Sequence, residues 1–175
     1  MNLRIFSLLL LLLSTAFSTG CGVYSFTGAS ISPDVKTISI QQFYNNAPLG
    51  PSNMSALFTE TIKDYFQQNT SLELVENNGD LQIDGYISNY TITPVAATSG
   101  GDGQADFSAL SRITITVSAS YINVNDPTFD FDKTFSFFRD FDNNTANLAS
   151  EEEGFVQEIF DQIVLDIFNA SVANW

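Results

Sequence analysis

The sequence predicts an α+β fold, with two helices packed on one face of a mostly antiparallel sheet of four to five strands. Two observations predict this class. Apolar residues recur at helical spacing near residues 52–68 and 150–168, whereas five other segments alternate between apolar and polar side chains. Because each helix must bury its apolar stripe, strands flanked by two helices favour one sheet that carries both helices on the same face.

The first part of this order is one strand and one helix. Residues 34–43 alternate and are rich in β-branched side chains, which favours a strand, and residues 45–51 form a turn-rich loop. Ser52 is expected to cap a helix that runs to about Gln68. The apolar stripe of this helix consists of Met54, Leu57, Phe58, Ile62, Tyr65 and Phe66.

Four strands are predicted after this helix. A short strand at 72–76 and a longer one at 81–93 are separated by an Asn-Asn-Gly-Asp sequence that is typical of hairpin turns. After a glycine-rich loop around Gly100, alternation is clearest at 112–124, and the strand at 129–141 has most of its Phe residues on one side. We expect these four strands to pair as successive hairpins.

A second helix is predicted at the C-terminal end of the chain. Ser150 and Glu153 have the spacing of a capping box, which favours a helix start at this point. Apolar pairs then recur every four residues and form a wide apolar face. These pairs are Phe155/Val156, Ile159/Phe160, Ile163/Val164 and Ile167/Phe168.

The sheet face turned away from the helices is predicted to be polar but weakly charged. It carries Gln82, Tyr86, Ser88, Tyr90, Thr114, Thr116, Thr134 and Ser136, with Asp84, Asp130 and Asp132. One interpretation is an ordinary solvated sheet face. The other is a face that docks inside a polar cavity, because uncharged hydrogen-bonding groups tolerate partial desolvation better than Lys or Glu.

The composition excludes several classes of function. Twenty acidic residues stand against six basic ones, so the chain repels phosphate backbones and we expect no nucleic-acid binding. The chain has no His and one Cys, which excludes Ser-His-Asp triads, Cys-His pairs and the usual zinc sites. These exclusions favour a non-enzymatic protein without a cofactor. The chain length favours a single domain, which we place over residues 34–175.

The N-terminus has the organisation of a secretion signal. Residues 1–20 combine a positive start, a short Leu-rich run and small polar residues, and the apolar run is too short for a transmembrane helix. The run ends at Cys21 in a sequence that resembles a lipobox, with Ser18 where that pattern prefers Leu. We predict that Cys21 carries lipid and that residues 21–33 are a tether. The alternative is an ordinary signal followed by an incidental cysteine.

Two pairs of carboxylates could in principle carry chemistry. Asp130 with Asp132, and Asp140 with Asp142, each lie on one side of a strand, about 7 Å apart. Such pairs bind Ca²⁺ or serve as general acid and base in some proteins. Alternation with inward Phe residues accounts for both pairs here, so we predict neither a metal site nor a catalytic site.

The few basic residues are candidate contacts with a partner or an anionic lipid. Lys133 and Arg139 fall on the Phe side of their predicted strand, where charge is unusual. A position near the sheet ends or edge, with the charge reaching into water, is the simpler explanation. Together with Arg112, Tyr86 and Tyr90 they form the set of candidate contact residues.

Seven short segments together resemble a known family, the lipopolysaccharide-assembly lipoproteins LptE in their Bacteroidota-like form. The resemblance extends in order over essentially the whole mature chain. The segments are Cys-Gly-Val-Tyr-Ser-Phe-Thr-Gly at 21–28, Lys-Thr-Ile-Ser-Ile at 36–40, Phe-Thr-Glu at 58–60, Gly-Asp-Leu at 79–81, Arg-Ile-Thr-Ile-Thr-Val at 112–117, Asp-Gln at 161–162 and Val-Ala-Asn-Trp at 172–175.

The resemblance implies an α+β domain of two helices and four or more strands, tethered by lipid to the periplasmic leaflet of the outer membrane. It implies a plug inside the large outer-membrane barrel LptD, which the family helps to assemble and to supply with lipopolysaccharide. The candidate contact residues would then face the barrel or lipopolysaccharide, and the loops around Asn45 and Gly100 are expected to meet the barrel wall. The alternative is a periplasm-facing lipoprotein that binds a small lipid between helices and sheet.

Overall fold

A computed structural model of the chain describes residues 31–95, 110–143 and 145–173. The regular elements of these residues are two α-helices, one short 3₁₀-helix (Pro127–Phe129) and one sheet, whose last strand starts after that 3₁₀-helix and not at Phe129 as predicted. The strands are β1 (Thr37–Ile40), β2 (Tyr44–Asn45), β3 (Glu73–Val75), β4 (Leu81–Pro94), β5 (Leu110–Asn123) and β6 (Phe131–Asp142), and the helices are α1 (Met54–Asn69) and α2 (Leu148–Ser171). Residues 1–20, Cys21 and the predicted loop around Gly100 lie outside the described residues.

The α+β class is confirmed, but the sheet differs from the prediction. It has six strands and is mixed, in the order β3-β1-β4-β5-β6, with β2 also paired to β4. β1 runs parallel to both β3 and β4, and β2 runs parallel to β4. Only the β4–β5 and β5–β6 pairs are antiparallel, as the predicted hairpins require. The prediction therefore missed the parallel pairing of β1, β2 and β3, which are half of the strands.

The predicted hairpin at Asn77–Asp80 is wrong, because β1 lies between β3 and β4. The connection instead crosses the backbone of β1, on the side away from the helices. A Cβ atom at Gly79 would lie 2.5 Å from the Ser39 nitrogen and 2.7 Å from the Ile38 carbonyl carbon. The Asp80 carboxylate then accepts hydrogen bonds from the backbone N–H groups of Lys36 (2.8 Å) and Thr37 (3.0 Å). A turn-like sequence thus serves as a crossover that fixes the start of β1.

The predicted first strand is interrupted. It ends at Ile40, and Phe43 then turns its side chain into the core, where it is fully buried. The Phe43 ring packs edge-on against Phe58, with ring centroids 4.8 Å apart. Gly85 of β4 makes room for this ring, since a Cβ there would lie 2.6 Å from it. The chain rejoins the sheet only briefly, as β2.

Both helices are present, but the N-cap of α1 lies one residue later than predicted and that of α2 three residues earlier. α1 begins at Met54 with Asn53, not Ser52, at the N-cap position. α2 begins at Leu148, so Ser150 lies inside the first turn instead of capping it. The Glu151 carboxylate accepts a hydrogen bond from the backbone N–H of Asn147, 3.0 Å away, which satisfies one of the free donors at this helix end.

The apolar residues predicted for the helices form the core with the inner face of the sheet. All eight paired apolar residues of α2 are buried, and so are Met54, Phe58, Ile62 and Phe66 of α1. The helices meet through edge-on ring contacts, such as Phe58 with Phe160 at 4.9 Å between centroids. Among the described residues, no helix combines the length and apolar character that crossing a membrane requires.

Gly79→Ala tests the crossover. The added methyl group would meet backbone atoms of β1 that cannot rotate away, so we expect a loss of about 1–3 kcal/mol in the free energy of unfolding. Gly154→Ala is the matched control, because a Cβ there meets nothing within 4 Å and helix propensity alone should stabilise the chain by about 0.5–1 kcal/mol. Urea unfolding measures both; equal stabilities for the two variants would contradict the crossing.

Candidate functional site

The candidate functional site is the outer face of the sheet, defined as the face opposite the two helices. In β5 the alternation is strict: every second side chain from Ser111 to Tyr121 is buried against the helices, and those between them are half-buried on the outer face. Cross-strand pairing places neighbours from β4 and β6 beside them. The outer face comprises Gln82, Asp84, Tyr86, Asn89, Thr91 and Thr93 of β4, Arg112, Thr114, Thr116, Ser118, Ser120 and Ile122 of β5, and Asp132, Thr134, Ser136, Phe138 and Asp140 of β6.

A β-bulge at Ser88 corrects the predicted position of Tyr90. The register between β4 and β5 shifts between Ile87 and Asn89, and the Ser88 hydroxyl donates to the Thr116 carbonyl, 3.1 Å away. A bulge adds one residue to one strand, so the alternation after it is inverted. Tyr86, before the bulge, lies on the outer face and is 42% exposed. Tyr90, after it, points into the core and is 2% exposed, so it is not available as a surface contact.

Tyr90 instead ties β4 to the start of α2. Its hydroxyl donates to the Glu152 carboxylate over 2.5 Å. Burial, together with this hydrogen bond and the nearby negative charge, raises the pKa of Tyr90 well above its ordinary value. Burial also raises the pKa of Tyr121 in β5 to about 12. Both phenols are therefore held in their neutral form in the folded chain.

Arg112 lies on the outer face and is already paired. Its guanidinium donates to both oxygens of Asp140, at 2.6 and 2.9 Å, and lies 3.7 Å from the centroid of the Phe138 ring. The hydrogen bond with Arg112 holds the pKa of Asp140 below its usual range, and the same bond raises the pKa of Arg112. A fork-to-fork pair over an aromatic ring fixes the orientation of the guanidinium.

Lys133 and Arg139 lie on the inner side of β6, at the edge of the sheet. Cross-strand pairing sets them opposite Ala119 and Ile113, and both are exposed. Arg139 reaches α2 and forms an ion pair with Glu158, with Nε 2.7 Å from the carboxylate oxygen. The Lys133 ammonium lies 4.7 Å from the centroid of the Phe131 ring. Charged side chains that point inward on an edge strand also hinder pairing with another sheet.

The five candidate contact residues therefore do not form one site. Arg112 and Tyr86 share the outer face, Lys133 and Arg139 line the β6 edge, and Tyr90 is in the core. The carboxylates that pair with three of them, Asp140, Glu158 and Glu152, were not predicted as their partners. Of these three carboxylates, only Asp140 could have been recognised from the sequence. It lies on the same side of β6 as Thr134, and Arg112 lies on the matching side of β5. The two α2 partners depend on tertiary packing.

In each of the two carboxylate pairs considered from the sequence, one Asp is already engaged by another part of the chain. Asp130 accepts a hydrogen bond from the backbone N–H of Asn123 over 2.7 Å, and Asp140 is occupied by Arg112. Within the described part of the chain, no three Asp, Glu or Cys side chains are grouped closely enough to hold a metal ion. Asp130 therefore serves the turn before β6, and Asp140 serves an ion pair within the sheet.

Charge is distributed unevenly between the two sides of the molecule. α2 carries six acidic residues and no Lys or Arg. The outer face of the sheet carries Asp84, Asp132 and the neutralised Arg112–Asp140 pair, and the rest of its polar groups are uncharged. Desolvating the helix side would cost far more than desolvating the outer face, because buried charges need partners.

Comparison with known proteins gives a family and a fold. A family model described as LptE, lipopolysaccharide-assembly, matches residues 35–171. No curated protein matches significantly. Among solved structures, rare lipoprotein B from Shewanella oneidensis superposes with a TM-score of 0.54 at 13% identity, covering 77% of this chain and 92% of that one. A hypothetical protein from Chlamydia trachomatis gives 0.53 at 11% identity, covering 80% and 99%. At such identities the structures show a shared fold alone.

Alkaline unfolding tests the buried tyrosines. Because their pKa values are raised on folding, the stability they contribute is complete below about pH 10, the ordinary value for Tyr. It is lost as the pH rises above 10, through about 12 for Tyr121. We expect urea midpoints to fall between pH 8 and pH 11.

Tyr90→Phe should lower stability at pH 8 by about 1 kcal/mol, through the lost hydrogen bond, and should make the alkaline fall shallower. Tyr86→Phe, on the outer face, should change neither quantity; a steeper fall for Tyr90→Phe would refute the assignment.

Proposed function

Because this chain belongs to the LptE family of lipopolysaccharide-assembly proteins, we propose that it plugs the outer-membrane barrel LptD, assists the assembly of that barrel and supports lipopolysaccharide transport. The family is non-enzymatic and works in lipopolysaccharide assembly. The proposal adds to this a specific partner, a position in the outer membrane and a docking surface.

The observation that carries the proposal is the contrast between the two sides of the domain. The outer face presents Thr, Ser, Asn and Gln side chains, which exchange hydrogen bonds with water for hydrogen bonds with a partner at small net cost. Of its four charged side chains, Arg112 and Asp140 neutralise each other at 2.6 Å, which leaves the carboxylates of Asp84 and Asp132. The α2 side carries six acidic residues and is far harder to desolvate. A plug with these properties would turn its sheet to the barrel lumen and its helices to water.

The proposed tether enters the domain at one end of the sheet. Ile31 and Val35 lie beside Tyr121, at the end of β5, and Val172, at the end of α2, where they line a common cavity. The loop that contains Asn45 and Gly50 lies near the opposite end, where Gly50 approaches the Tyr90 ring. A lipid on Cys21 would hold the first end near the periplasmic leaflet, and the second end would project into the barrel. The loop at 45–51 is thus the described loop best placed for the barrel wall.

Direct contact with lipopolysaccharide is a weaker part of the proposal for this chain. Arg112 and Arg139 each have a carboxylate partner within 2.7 Å, so a phosphate would have to displace that partner. Lys133 has a ring contact and no ion pair with another described residue. Among the three basic candidates it is the one most able to meet an anionic group.

A second candidate function is a periplasm-facing lipoprotein that binds a small lipid. The observation in its favour is the cavity of about 560 Å³ at the tethered end, with Leu81, Tyr121, Phe129 and Val172 among its lining residues. The space between helices and sheet is a poor lipid site, because it is filled by side chains such as Phe58, Ile115 and Phe160 that are fully buried. Lipid that co-purifies with the chain, and is lost in Phe129→Asp, would favour this function.

The docking surface can be tested with a charge on the outer face. Thr116→Lys places an ammonium in the middle of β5, where docking would bury it without a partner. We expect at least a fivefold loss of LptD recovered with the tagged chain from solubilised outer membranes. Gln68→Lys, on the exposed side of α1, is the matched control and should leave recovery unchanged. Recovery that survives Thr116→Lys but not Gln68→Lys would mean that the helices, and not the sheet, face the barrel.

The tether can be tested at Cys21. Cys21→Ala removes the only thiol to which lipid could be attached, so a clickable fatty acid should label the wild-type chain and not the variant. In cells depleted of LptD, the variant should also leave the outer-membrane fraction, because neither acyl chains nor a barrel would then hold it there. Ser18→Leu restores the preferred residue of the lipobox and should not reduce labelling. Equal labelling of the wild type and Cys21→Ala would refute the assignment.

A further inference from the structure

We propose that a trough across the outer face, beside Tyr44 and Tyr86, binds an uncharged carbohydrate. Two surface cavities, of about 490 and 390 Å³, share Asp84, Gly85 and Tyr86 as lining residues. Together they form one depression that extends from β1 and β2, across β4, to β5 and β6.

The walls of the trough are two rows of side chains that follow the cross-strand register. One row is Tyr44, Tyr86, Ser118 and Thr134, and the other is Asp84, Ser120 and Asp132. The rows are two residues apart along each strand, which separates them by about 7 Å. Ser118 and Ser120 are small, so the trough is deepest over β5. Its width suits a single sugar ring, and its length, across four strands, suits a short oligosaccharide.

Several polar groups of the trough have no partner among the described residues. The Ser118 and Thr134 hydroxyls are paired with each other over 3.4 Å, as the Thr116 and Ser136 hydroxyls are over 3.2 Å closer to Pro94, where Arg112 also binds Asp140. In the trough, the side chains of Asp84, Ser120 and Asp132 and the hydroxyls of Tyr44 and Tyr86 form no hydrogen bond with another described residue. These free carboxylates and hydroxyls can bind a ligand without breaking a hydrogen bond inside the protein.

The two tyrosines supply an apolar contact beside these polar groups. Tyr44 is 69% exposed and Tyr86 is 42% exposed, although both belong to strands of the sheet. Register places them side by side on β2 and β4. A tyrosine ring offers a flat apolar face with a polar tip. A sugar presents C–H groups on the face of its ring and hydroxyls at its rim, which match the rings and the surrounding carboxylate and hydroxyl oxygens.

The charge in the trough favours an uncharged sugar over a phosphorylated one. Asp84 and Asp132 contribute two carboxylates, and Lys133, the one basic residue among the lining residues, has its ammonium 4.7 Å from the centroid of the Phe131 ring. A phosphate placed between Asp84 and Asp132 would meet like charge on both sides. Carboxylates accept hydrogen bonds from neutral hydroxyls without this repulsion.

This inference goes beyond the proposed function, which requires the sheet to dock on a barrel but no ligand in the trough. Binding is measured on the chain alone, so a failure here leaves the docking proposal unaffected, and the reverse also holds. A free polysaccharide and the sugar part of a glycolipid would present the same chemistry. The experiment separates these two sources by including both.

The test is an amide-shift titration of the full chain by NMR, in a zwitterionic detergent that contains no sugar. The ligands are maltoheptaose and a chitin tetrasaccharide, with glucose 6-phosphate as the charged comparator and a phosphate-free glucosyl lipid as the lipid-linked one. We expect saturable shifts at residues 84–86 and 118–120 with at least one neutral oligosaccharide and none with glucose 6-phosphate. Tighter binding of the glucosyl lipid assigns a lipid-linked source, and equal binding assigns a free glycan.

Substitutions distinguish the trough from adventitious binding. Tyr86→Ala and Tyr44→Ala should each weaken binding about tenfold, and Tyr44→Ala removes a largely exposed ring, so it should leave the fold intact. Phe138→Ala, on the same face but outside the trough, should bind like the wild type. The proposal is overturned if no neutral ligand gives saturable shifts, if both tyrosine variants bind like the wild type, or if glucose 6-phosphate binds at least as tightly.

Discussion

The structure depends on the hydrogen bonding of β4 with three other strands. β4 pairs in parallel with β1 and β2 along one edge and antiparallel with β5 along the other. The crossover at Gly79 and the hydrogen bonds from β1 to Asp80 fix where β4 begins. The bulge at Ser88 then decides which side chains of its second half face the helices. Without that bulge, Tyr90 would lie on the outer face and could not reach Glu152 of α2.

This arrangement separates two surfaces with different physical properties. The inner face and the helices bury a continuous set of apolar side chains, and four of the six acidic residues of α2 are exposed to solvent. The outer face retains hydroxyls and amides, and two of its four charges cancel within the Arg112–Asp140 pair. A protein that only needed solubility could place charges on both sides. The low charge of the outer face is the property that favours a partner there.

The parts of the fold that depend on a single local pattern could be predicted from the sequence. The alternation of Ile113 through Tyr121 predicted the inner face of β5, and the four apolar pairs of α2 predicted its buried stripe. The bulge was not predictable, because Tyr86, Ser88 and Tyr90 continue an unbroken alternation and the inversion occurs only on pairing with β5. The Asn-Gly sequence at 78–79 favours a hairpin locally, but the insertion of β1 between β3 and β4 overrides it. The Arg139–Glu158 pair joins β6 to α2, and no sequence spacing indicates it.

The central claim is that the outer face lies against the barrel while the helices do not. Site-specific photo-cross-linking in cells tests it most directly, with the probe placed in turn at Thr114 on the outer face and at Asp64 on the exposed side of α1. The account predicts a cross-linked product of the size of LptD plus this chain from position 114, and none from position 64. A product from position 64 alone, or no LptD product from either position, would contradict it.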